Sequence, residues 1–154
     1  KNPAAKLQIP VRGNVSIKDN VKYYTLTELD TLLNYLKEYN PPRYPEYKPY
    51  YVLIYFLSRT GLRISEALAI RWGDIEGNKV TIDKQTSRDY NNNVTITTLK
   101  TYSSYRVIEI DEETVELLAW FRKVQQKMMM KYKQFKRNKD LIVFQTYNGD
   151  YMTP

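Results

Sequence analysis

Leucines at 29, 32, 33 and 36 recur at three- and four-residue spacing, which lines one face of an α-helix. Thr25 and Glu28 stand just ahead of them in the order of a capping box, with a hydroxyl at the helix start answered by a carboxylate three residues on. Asn40-Pro41-Pro42 predicts the end of that helix. A second helix, from about residue 46 to 58, is apolar nearly all round and is therefore expected to be buried. Gly61 breaks it, and residues 64–70 resume as a short helix. Beyond the Glu76-Gly77-Asn78 turn the period falls to two. Lys79-Val80-Thr81-Ile82-Asp83 alternates, Val94-Thr95-Ile96-Thr97 alternates after an asparagine loop, and residues 105–110 form a third β-rich run. These three runs predict one small antiparallel sheet. Asp111 then caps a long helix with apolar or aromatic residues at 115, 118, 121, 128, 132 and 135, in which Met128-Met129-Met130 reads as packing. Residues 141–144 read as a last short strand and Asn148-Gly149 as a turn. The fold class is α+β, mostly helical with a small three-stranded antiparallel sheet. Residues 1–22, with Pro3, Pro10 and Gly13 and no period, read as an interdomain linker before a single domain over 23–154.

Composition narrows the chemistry. The 154 residues contain no cysteine, which excludes disulfide scaffolds, thiolate-ligated zinc and thiol nucleophiles. They contain no histidine, so no Ser-His-Asp triad or imidazole-ligated metal can be built from them. Any catalysis must use Arg, Lys, Tyr, Ser, Thr, Asp or Glu. Of the 21 aromatic residues, 15 are tyrosines. The longest apolar stretch, residues 50–57, is too short to span a bilayer, and the opening KNPAAKLQIP lacks the apolar core of a signal peptide. With no initial Met, the chain reads as a cytoplasmic fragment of something longer.

Charge is localised. Residues 122–139 hold eight cations and no acid, namely Arg122, Lys123, Lys127, Lys131, Lys133, Lys136, Arg137 and Lys139. The remainder of the chain carries 16 basic residues against 17 acidic, so the whole formal surplus of +7 belongs to this run. It reads either as a phosphate-facing surface or as a solvated helix face.

The segment with most chemical content is Thr60-Gly61-Leu62-Arg63-Ile64-Ser65-Glu66-Ala67-Leu68-Ala69-Ile70-Arg71-Trp72-Gly73-Asp74-Ile75. It sets an arginine directly after a glycine break, at a helix start. Free backbone N–H groups and a guanidinium fork there suit a phosphate oxyanion. Glu66, three residues on, shares the helix face and can hold Arg63. The plainer alternative is an ordinary helix start with a surface ion pair.

This segment resembles the first conserved box of the tyrosine recombinases, the phage-integrase family, whose pattern is TGLRxSELLxLxWxDI. Thr98-Leu99-Lys100-Thr101-Tyr102-Ser103-Ser104-Tyr105-Arg106-Val107-Ile108-Glu109-Ile110 is similar to the family's PKTKSSRRxIPL hairpin. Residues 144–149 resemble the turn that follows the long helix, and Asn2-Pro3-Ala4 with residues 24–29 resemble the linker and domain start. Three landmarks in order are a specific signal.

The resemblance implies the N-terminal part of a tyrosine-recombinase catalytic domain. In that family a tyrosine attacks a DNA phosphodiester, forming a 3′-phosphotyrosyl link and releasing a 5′-hydroxyl, with no metal or cofactor. Arg63 matches the first catalytic arginine and Lys100 the hairpin lysine, while Glu66 matches an acidic support position. The His-x-x-Arg second box, the later His or Trp and the nucleophilic tyrosine have no match, and Tyr147 and Tyr151 precede where that box would fall. The implied partners are double-stranded DNA and other recombinase protomers, with no membrane and no small-molecule cofactor. The fragment alone is expected to be inactive. A non-enzymatic DNA-binding module, or a domain docking an acidic protein, are the competing classes.

Overall fold

Thr25 caps the leucine-striped helix as its position predicts. In the computed structural model, which describes residues 23–39, 46–99, 101, 104–136 and 141–153, its hydroxyl accepts from the Glu28 amide at 3.3 Å. The Glu28 carboxylate accepts from the Thr25 amide at 2.8 Å in return, closing the box. Helix α1 runs Leu26–Glu38 and lays Leu29, Leu32, Leu33 and Leu36, half-buried, toward α2. The expected Asn40-Pro41-Pro42 stop and the linker over residues 1–22 lie outside the described residues.

Helix α2, Lys48–Thr60, starts with Pro49 in its first turn and buries Val52, Leu53 and Phe56. Gly61 ends it in the left-handed region at φ 62°, where a side chain would be strained. Helix α3 is a single turn, Ile64–Ala67, shorter than the 64–70 expected. Leu68, Ala69 and Ile70 leave the helix but stay in the core, each at most 2% exposed. A 3-10 turn, Trp72–Asp74, follows, with its Asp74 carboxylate accepting from the Arg71 amide at 2.8 Å and from Lys84 Nζ at 2.7 Å.

Among the described residues five strands follow instead of three. Strands β1 (Ile75–Glu76), β2 (Lys79–Ile82) and β5 (Arg106–Glu109) form a three-stranded antiparallel sheet in the order β1-β2-β5. The register pairs Val80 with Ile108 and Ile82 with Arg106. The expected strand near Val94 is real, β4 over Val94–Thr98, but it does not join that sheet. It pairs with β3, Lys84–Arg88, into a separate ribbon. Lys84-Gln85-Thr86-Ser87-Arg88 carries no apolar alternation, so a hydrophobic pattern is blind to it.

Asp111 caps the longest helix, α4, Glu112–Lys131, accepting from the Thr114 amide at 2.7 Å. Its inner face buries Leu118, Phe121, Gln125 and Met128. Met130 of the methionine run is instead 76% exposed. Glu113 at the start of α4 accepts from Tyr55 and Arg59 of α2 at 3.1 and 3.0 Å, while Lys131 at its other end lines one cavity with Tyr47 and Lys48 at the start of α2. The two helices therefore run antiparallel.

Residues 141–144 make no regular strand. Ile142 bridges Arg71, with Trp72 N–H donating to Leu141 O and Val143 N–H to Ile70 O, both at 2.9 Å. Phe144 packs its ring on Phe56 and Phe121 at centroid distances of 5.4 and 6.5 Å. Gln125 Oε1 accepts from the Trp72 indole N–H at 2.7 Å, and its amide donates to the carbonyls of Ile142 and Val143 and to Gln145 Oε1. That buried amide ties the 3-10 turn, α4 and the last segment together. The Asn148-Gly149 turn is present, with Gly149 at φ 80°. A Cβ there would stand 2.5 Å from Lys136 O, so only glycine fits.

Candidate functional site

The chain reverses at Gly61, sinks Leu62 into the core, and surfaces at Arg63 in extended backbone at the start of α3. This places the guanidinium at the surface, with the side chain 76% exposed. Glu66 points the opposite way. Its carboxylate is 2% exposed and accepts from the Arg63 amide at 3.2 Å and from Arg63 Nη1 at 3.3 Å. Arg63 itself lends no amide to the anticipated cradle. Its own N–H is spent on Glu66, and a four-residue helix has almost no dipole to lend. The guanidinium is left facing solvent.

A second arginine completes the arrangement. Strand β5 alternates its side chains, so Arg106 and Ile108 share the inward face while Val107 and Glu109 face out. Arg106 meets the same carboxylate, with Nη2 at 2.8 Å from Glu66 Oε2 and Nη1 at 3.4 Å from Oε1, a two-pronged contact. Nη1 also donates to Ser104 O at 3.0 Å. Burial opposes ionisation of Glu66, but the hydrogen bonds from Arg106 and Arg63 outweigh it and hold the carboxyl below its ordinary value of 4.5. One buried anion thus stands between two cations, and the trio carries a net positive charge.

The hairpin expected to hold Lys100 is anchored on both sides. Leu99 is 7% exposed in the core, and Ser104 is held by Arg106. Thr101 and Ser104 bond to each other at 2.7 Å, so these two hydroxyls close a turn. Lys100 and Ser103 lie outside the described residues. On the other side of α3, Thr86 of β3 donates to Ser65 O at 3.3 Å and fixes the ribbon against the helix.

Of the predicted residues, Arg63 is where a surface anion can reach it and Glu66 supports it as expected. Arg106 was missed as a site residue. The signal lay in its strand phase, because an arginine in step with Ile108 must face inward, and an inward arginine needs a buried acid.

No family model and no curated protein matches the chain. Solved structures do. The Tn1549 transposon integrase in complex with transposon right end DNA superposes with a TM-score of 0.67 at 22% identity, over 87% of this chain and 42% of that one. The same integrase in complex with a circular intermediate DNA gives 0.63 at 23% identity, over 84% and 39%. XerA recombinase gives 0.53 at 13% identity, over 82% and 35%. The chain has a partial tyrosine-recombinase catalytic-domain fold. It spans about two fifths of the integrase chains it resembles.

Proposed function

We propose that this chain is the arginine-and-lysine half of a site-specific DNA recombinase or integrase catalytic domain, acting on double-stranded DNA alongside other protomers. The observation that carries the reading is Arg63: an exposed guanidinium locked at its base to a buried carboxylate, in the fold of integrases solved with DNA. In the proposed reaction a tyrosine hydroxyl gives up its proton to solvent as its oxygen bonds to a backbone phosphorus, and the bond from that phosphorus to the 5′-oxygen breaks. Arg63 stabilises charge on the non-bridging oxygens of the five-coordinate phosphorus. Lys100, as an ammonium, gives its proton to the departing 5′-oxygen and becomes the neutral amine. The reading assigns the second arginine, the later His or Trp and the nucleophilic tyrosine to sequence outside this chain.

Covalent trapping tests it. A protein joining this chain to a second arginine box and a late tyrosine is incubated with a nicked duplex carrying its site. The expected result is a protein–DNA adduct on a denaturing gel, abolished by Arg63→Ala, with none formed by residues 1–154 alone. An adduct formed by residues 1–154 alone, or one insensitive to Arg63→Ala, overturns the reading.

A further inference from the structure

We propose that Arg106 is a positioning residue for Arg63: it takes the buried Glu66 carboxylate as its own partner, so that Arg63 is braced by Glu66 without being neutralised by it. The proposal rests on the reading of Arg63 as a phosphate ligand and adds the residue that keeps it competent.

The donor count separates the two arginines. A guanidinium has five N–H groups. Arg106 spends three, two on Glu66 and one on Ser104 O, and its side chain is only 35% exposed. Arg63 spends one, the weak 3.3 Å contact to Glu66 Oε1, and keeps the rest of its fork facing solvent. Charge separates them as well. With Arg106 absent, Arg63 would be the sole cationic partner of Glu66 among the described residues, and a carboxylate paired to a guanidinium cancels the field a phosphate would feel. Among the described residues, Arg63 and Arg106 are the charged groups that face Glu66. The charged side chains of the other elements packed on α3 are engaged elsewhere, Arg59 of α2 with Glu113, Lys84 of β3 with Asp74, and Arg88 of β3 with Asn92. Arg106 also bonds the backbone that follows Lys100 by four residues, so one side chain joins the first box to the hairpin.

The test uses residues 1–154 and a plain 20-base-pair duplex as the phosphate probe. Carbon-13 carboxyl resonances follow the titration of Glu66, and fluorescence anisotropy follows duplex binding between pH 5 and pH 8. Arg106→Met should move the Glu66 midpoint up by about 1–3 pH units, the effect of losing an adjacent opposite charge. Arg106→Lys and Arg63→Met should move it less. Arg63→Met should weaken the duplex roughly tenfold at every pH, as for one lost charged hydrogen bond. Arg106→Met should bind like Arg63→Met at pH 8, where Glu66 is ionised, and approach wild type as the pH falls and Glu66 takes up its proton. Arg106→Met combined with Glu66→Gln removes both charges, guards against misfolding from a stranded buried acid, and should bind like wild type throughout. A merely structural role predicts that binding is lost only in proportion to the fraction unfolded, so circular dichroism at each pH must show Arg106→Met still folded where its binding falls. If Arg63→Met weakens binding while Arg106→Met matches wild type at all pH values, the proposal falls alone. If Arg63→Met binds as tightly as wild type, the phosphate reading of Arg63 falls and takes the proposal with it.

Discussion

Two cationic regions of this molecule differ in almost every respect except charge. Residues 122–139 hold eight basic side chains, while the cluster around Glu66 holds two among the described residues. Those of the eight among the described residues are loosely held. Lys123 and Lys127 stand on the exposed face of α4, Arg122 lies over Trp72 at 5.4 Å, Lys131 lies over Tyr132 at 5.1 Å, and Lys136 pairs with Asp150. Arg137 and Lys139 lie outside the described residues. The two arginines at Glu66 are fixed by a buried carboxylate and by strand and turn backbone. Their positions differ too. Arg63 follows the end of α2, whereas Lys131 sits beside its beginning, and thirteen helical residues span about 20 Å. The difference teaches that charge density marks where a polyanion is attracted, while a fixed guanidinium marks where one phosphate can be held to a geometry.

The largest effect that would sharpen this contrast belongs to Lys100. In a recombinase containing this chain, Lys100→Ala should slow cleavage of ordinary DNA by about 10²–10⁴-fold, the value of a lost general acid. On a substrate whose bridging 5′-oxygen is replaced by sulfur, which leaves without a proton, it should cleave nearly as fast as wild type. Equal defects on both substrates would reduce Lys100 to a phosphate contact.

Next comes the scaffold that holds α4 beside the first box. Gln125→Leu strands the Trp72 indole N–H and two buried carbonyls. It should cost roughly 3 kcal/mol in urea unfolding, from leaving buried groups unpaired. A loss under about 0.5 kcal/mol would show that water or rearrangement replaces the amide.

Acid should separate the regions again. Glu66 ionises more readily in the folded chain than its ordinary value of 4.5, so its pairing stabilises the fold fully above that pH. That contribution should fade as pH falls from 4.5 through the lower folded value. Asp111, held low by its contact with Thr114, adds in the same direction. Thermal melts from pH 6 to pH 2.5 should show a steeper decline for wild type than for Glu66→Gln. Parallel declines would mean that the carboxylate contributes nothing.

The smallest effect is expected from the run itself. Reversing Lys123, Lys127 and Lys133 together should lower affinity for any duplex and flatten its salt dependence, while changing stability by no more than about 0.5 kcal/mol. An unchanged salt slope would make the run a solvated face with no part in DNA binding.

Local rules made much of this fold legible. The Thr25–Glu28 box, the Gly61 break and the Asp111 cap each depend on residues within three or four positions, and each lies where the sequence placed it. Strand β3 was invisible because its side chains are polar on both faces, and its pairing with β4 is an exchange of backbone bonds. Residues 141–144 are apolar because they are core, not because they alternate in a sheet. At the site, Arg63 and Glu66 were readable as a spacing of three, while Arg106 reaches Glu66 across forty residues through β-sheet phase. Sequence patterns resolve contacts within an element far better than contacts between elements.

The central claim is that Arg63 acts on the charge of the reacting phosphate, whichever atom leaves. Single-turnover cleavage by an Arg63→Ala recombinase, measured on oxygen-bridged and sulfur-bridged DNA side by side, tests it most directly. The account predicts about 10²–10³-fold slower cleavage on both substrates, because negative charge on the non-bridging oxygens forms in either case. Near-normal cleavage of the sulfur-bridged substrate would contradict it and move Arg63 to the leaving group.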